Sequence, residues 1–102
     1  MVEQVLERLA AAGVDLLPVE MPGYFLLARD DFVCLVERTP EGDFGRTGSA
    51  GLLTDRGFAA LVWRGTQPYF VARGYERAAS EAEVASVRAF SADITVAVQG
   101  TR

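Results

Sequence analysis

Apolar residues at the start of the chain recur with the period of a helix. Val2, Val5, Leu6, Leu9 and Ala12 share one face of residues 2–12, and Glu3, Glu7 and Arg8 fall outside it. Glu3 and Glu7 suit the positive end of the helix dipole, and Gly13 supplies a stop. Residues 14–23 hold Pro18 and Pro22 and read as an extended connection packed by Leu16, Leu17 and Val19. The period then drops to that of strands. Residues 24–29 and 32–38 are rich in aromatic and branched side chains, with Asp30 and Asp31 between them, which is a hairpin signal. Pairing across that turn sets Leu27 beside Cys34 and Phe25 beside Val36 on one face. Tyr24, Leu26, Val33 and Leu35 fill the other. Both faces are apolar, which predicts a central hairpin covered on both sides.

Residues 39–49 break this regularity with Pro40, Gly42, Gly45 and Gly48, and read as the chain's long irregular segment. Strands follow at 50–54, 58–64 and 69–75, joined by turns at 55–57 and 65–68. A four-residue second turn sets Trp63 opposite Phe70 and Leu61 opposite Ala72. Ser80 and Glu83 form a capping-box pair, and Val84, Val87, Phe90, Ile94 and Val98 then recur at helical spacing. The helix pattern is clear to Asp93, while 94–99 alternates branched and small residues and fits helix or strand. The order α-β-β-loop-β-β-β-α predicts one α+β domain over 1–102. It is a two-layer arrangement, a five-stranded antiparallel sheet with the N- and C-terminal helices on one face.

Composition narrows the chemistry. Half of the 102 residues are hydrophobic, which suits a globular domain with one core. All ten basic residues are arginines, and lysine and histidine are absent. That excludes a lysine Schiff base, a P-loop lysine, a histidine base and a histidine-bound metal. A net charge of −4 argues against nucleic acid or an anionic membrane surface as a partner. One cysteine, Cys34, allows no internal disulfide, and its apolar neighbours predict burial rather than catalysis. The first residues lack a basic start followed by an apolar run, and no uncharged stretch is long enough to span a bilayer. The expectation is therefore a cytoplasmic protein with no membrane segment. Heavy Ala and Arg usage with no Lys or Asn suggests a GC-rich bacterial genome.

The element order resembles that of roadblock/longin-type dimerisation domains with the middle helix replaced by a loop. It also resembles small acidic secretion-chaperone-like domains. Both likenesses concern architecture alone and carry no residue across.

Three groups of residues are candidate sites. The glycine-rich stretch 42–51 could cradle an anion through Arg46, Thr47 and Ser49, although its glycine spacing fits no nucleotide fingerprint. Glu37, Glu41, Asp43 and Asp55 could converge on a divalent metal, without the lysine that usually accompanies such chemistry. The last hairpin is predicted to turn Phe58, Val62, Arg64, Tyr69, Val71, Arg73 and Tyr75 away from the helices. This mixture of aromatic, branched and arginine side chains is enriched at protein interfaces. The leading expectation is a non-enzymatic interaction module, without cofactor or metal. It would form a homodimer or bind another protein through Arg64, Tyr69, Val71, Arg73 and Tyr75. The alternative is an effector-binding or metal- or anion-dependent domain built on the 42–51 loop.

Overall fold

The computed structural model describes residues 2–18, 21–55 and 57–100. Helix α1 spans Val2–Ala11 and helix α2 spans Glu81–Gln99. Between them run β1 (Asp15–Leu16), β2 (Tyr24–Arg29), β3 (Phe32–Arg38), β4 (Phe44–Thr54), β5 (Gly57–Arg64), β6 (Gln67–Ala72) and β7 (Tyr75–Ala78). All pair antiparallel with their sequence neighbours, in the order β1-β2-β3-β4-β5-β6-β7. The α+β class, the antiparallel sheet and the two terminal helices are as expected, but the sheet has seven strands rather than five.

The two extra strands arise differently, one from a tight turn and one from a connection that pairs with the sheet edge. Ala72 pairs with Tyr75 around Arg73 and Gly74, and Gly74 takes the left-handed φ of 72° that this turn demands. The expected last strand 69–75 is therefore cut into β6 and β7. At the other end, Asp15 and Leu16 pair with Ala28 and Leu27, so part of the expected connection 14–23 is an edge strand. Val19 of that connection, and Arg56 of the turn after β4, lie outside the described residues.

The largest correction is the glycine-rich segment. From Phe44 onwards it is strand, paired to β3 through two irregularities that place Gly48 and Ser49 opposite Leu35, and Gly45 and Arg46 opposite Glu37. Bulges tolerate such residues and break the period-two alternation that would reveal a strand. Gly51 serves a separate need: a Cβ there would lie 2.0 Å from the Ala59 carbonyl oxygen, so β4 and β5 approach as closely as they do only because it is glycine.

Alternation decides which side chains meet the helices. Leu27, Cys34 and Val36 join Val5 and Leu9 of α1 and Phe90, Ile94 and Ala97 of α2 in one buried cluster. Ala59 and Phe70 join Val84 and Val87 in a second, beside which Leu61, Ala72 and Tyr75 pack. Fully burying a side chain such as Phe70 or Phe90 contributes roughly 1.5–3 kcal/mol. Helix α2 runs unbroken through Gln99 and ends at Gly100 with φ 72°, so residues 94–99 are helical and Ile94 and Ala97 are core.

Arginines tie the layers together. Arg29 donates from Nη1 to the Ala12 carbonyl at 3.0 Å and to Asp93 Oδ2 at 2.9 Å, while its guanidinium stacks on Phe90. Arg8 donates from Nε to the Ala97 carbonyl at 2.7 Å, satisfying an acceptor in the last turn of α2. These contacts fix both helices against the same side of the sheet.

Candidate functional site

The sheet face opposite the helices carries the alternate residues of the same strands. In its β4–β7 part Leu53 pairs with Phe58, Ala60 with Gly51 and Val71, Val62 with Tyr69, and Val71 with Glu76. Leu53 is 49 % exposed and Val62 40 %, while Phe58, Tyr69 and Val71 are half-buried. Nearer β2 and β3 the same face is closed at Leu26 and Val33, which are buried, while Tyr24 at the start of β2 is 39 % exposed. The accessible apolar surface is thus concentrated on β4, β5 and β6.

Its charged groups lie at one border. Arg64 stacks on Tyr69 with its guanidinium carbon 5.1 Å from the ring centroid, and ion-pairs with Glu76 across β6. Of the residues expected at an interface, Arg64, Tyr69 and Val71 occupy this face. Arg73 is exposed in the β6–β7 turn at the sheet's end. Tyr75 does not belong to the face: it pairs with Ala72 and packs on the helix side against the Phe70 cluster. The turn at Arg73 and Gly74 reverses the chain, so extending the β6 alternation past it assigns Tyr75 to the wrong side.

The expected pairing of β5 with β6 also changes. The turn holds only Gly65 and Thr66, so Trp63 pairs with Pro68 and Leu61 with Phe70. This is a slip of two positions from the expected register, and an even slip leaves every side chain on its expected face.

The residues expected to form an anion cradle in 42–51 are brought together only in part. The backbone of this segment lies along β3 as strand, and the Arg46 N–H donates to Glu37 Oε1 at 3.4 Å. Thr47 turns towards α2, its hydroxyl 3.3 Å from that of Thr95. Arg46 and Thr47 share a cleft with Thr95 and Gln99, and Ser49 lies outside it. Nor do the acidic residues converge: among the described residues no three His, Cys, Asp or Glu side chains cluster as metal ligands.

Cys34 is buried in the helix-side cluster with Sγ near the carbonyls of Leu35 and Gly48. Burial pushes its thiol up to about 11, the opposite of what a nucleophile needs. A stronger polar site caps α2. Arg77 donates to both carboxylate oxygens of Glu83, at 3.2 and 2.8 Å, while the Ser80 backbone N–H donates to Glu83 and the Glu83 N–H to Ser80 Oγ. The Arg77 hydrogen bond, then that of the Ser80 backbone, holds the Glu83 carboxyl below its ordinary value. Hydrogen bonds from Arg77 to Glu83 and to the Tyr75 hydroxyl raise the guanidinium in turn. The capping box was legible at sequence level, but its link to Arg77 was not, because that depends on β7.

Among the described residues no helix is long and apolar enough to cross a membrane. No protein-family model, curated protein or solved structure matches this chain.

Proposed function

We propose that this protein is a non-enzymatic interaction module that self-associates through the open face of its sheet. The observation that carries this reading is the one-sided placement of the helices: they cover Leu27, Cys34, Ala59 and Phe70, while Leu53 and Val62 on the other side remain in solvent. Contiguous apolar surface of this kind marks interaction sites more often than it stays free. The charge pattern favours a second copy as the partner. The centre of the patch is uncharged, and Arg64 at its border is already neutralised by Glu76. Stacking the patch on itself across a two-fold axis therefore buries no unpaired charge, despite a net charge of −4 on each chain.

Val62→Glu tests this reading. The position is exposed enough for the single chain to fold with glutamate there, but a dimer would bury two like charges at its centre. Sedimentation should show association weakened by roughly a hundredfold or more, with the circular dichroism spectrum retained. Association equal to wild type would rule out this face.

A further inference from the structure

Trp63 is the chain's one tryptophan. It lies on the helix side of β5, beyond the end of the buried clusters, and is 47 % exposed. With Pro68 from β6 it forms one wall of a cleft of about 430 Å³, whose other wall is Val84, Ala85 and Arg88 of α2, with Glu81 at its rim. That volume lies within the range of small-molecule sites, roughly 300–1,000 Å³.

Arg88 makes this cleft more than a packing defect. Five arginines stack on aromatic rings here: Arg29 on Phe90, Arg38 on Phe25, Arg64 on Tyr69, Arg77 on Phe70 and Arg88 on Trp63. Four of them also donate to an oxygen, of Asp93, Met21, Glu76 and Glu83 in turn. Arg88 has no such acceptor among the described residues, and its guanidinium carbon stands 5.6 Å from the Trp63 centroid with its donors unused. A stacked guanidinium retains its planar fork of N–H groups for a carboxylate.

We infer that the cleft binds a small amphipathic monocarboxylate, its apolar part against Trp63, Pro68 and Val84 and its carboxylate on Arg88. Glu81 in the same cleft sets the charge limit, since a dianion such as a phosphate monoester would meet its carboxylate without a second cation to offset it. This site lies on the helix side and is independent of the association face.

Trp63 reports on the cleft directly, because no other tryptophan contributes to the emission. Titration with 3-phenylpropionate should quench or shift that emission saturably, and the neutral 3-phenylpropionamide should bind about tenfold more weakly or worse. Phenyl phosphate should also bind more weakly than the monocarboxylate. Arg88→Gln should remove the preference for acid over amide while keeping the native melting temperature, and Arg88→Lys should restore part of it. A wild-type protein that shows no saturable change, or that binds acid and amide equally, overturns the assignment.

Discussion

Val62 and Tyr69 stand directly opposite each other across β5 and β6, on the face turned away from both helices, with Arg64 stacked on the tyrosine ring. Cross-strand pairs of this kind stabilise a sheet by roughly 0.2–1 kcal/mol while leaving one surface free for other contacts. Because this surface is apolar at its centre and Arg64 is neutralised by Glu76, its association should depend little on salt. Between low and high sodium chloride the dissociation constant should change by less than about threefold, whereas charge-driven association is strongly screened. A steep salt dependence measured by sedimentation would point to a charged surface instead.

Gly51 should be intolerant of any side chain. Its added Cβ would lie 2.0 Å from the Ala59 oxygen and 3.0 Å from the Ala60 Cα, both backbone atoms that cannot swing aside. Gly51→Ala should cost about 3 kcal/mol or more in urea unfolding, at the upper end of overpacking effects. A cost below about 1 kcal/mol would mean that the β4–β5 contact is looser than described.

Cys34 should make stability fall at high pH. Its thiol has an ordinary value of 9.0 and is pushed up to about 11 by burial, so between those values the unfolded chain loses a proton that the folded chain keeps. The folded state binds more protons there, and the free energy of unfolding must drop as pH rises. Cys34→Ala should lose stability at neutral pH but lack this part of the alkaline decline, as thermal melts at successive pH values will show. The native thiol should also resist thiol reagents until the protein unfolds.

Glu83 predicts the complementary acid effect. Its carboxyl is held below the ordinary value by Arg77 and the Ser80 backbone, so its contribution is present above that ordinary value and is lost as pH falls through the lowered one. Glu83→Gln should flatten that portion of the acid limb. Ser80→Ala should cost about 1 kcal/mol by removing the acceptor for the Glu83 N–H. Urea melts of the two variants at neutral and acidic pH separate the cap from the charge.

The parts of the fold legible in the sequence are those whose local chemistry agrees with their packing. The β2–β3 hairpin pairs Leu27 with Cys34 and Phe25 with Val36 as its pattern predicts, and α2 begins at its capping box. Strand β4 was hidden because bulges at Gly48 and Gly45 displace its side-chain alternation and leave it glycine-rich. Strand β7 was hidden because it is short and carries Glu76 and Arg77, so past the two-residue turn at Arg73 and Gly74 no apolar alternation marks a new strand. For the candidate site, parity placed Val62, Arg64, Tyr69 and Val71 correctly despite the slipped register, and misplaced Tyr75 beyond the turn. The same parity put Trp63 on the helix side, but how far α2 covers the hairpin tip is a matter of tertiary geometry that no spacing reveals.

Solution mass by light scattering over a concentration series tests the central claim most directly. The account predicts a mass that rises from 11.0 kDa towards twice that value, with the rise for Val62→Glu moved to concentrations roughly a hundredfold or more higher. A wild-type protein that remains at 11.0 kDa into the millimolar range would contradict self-association through this face.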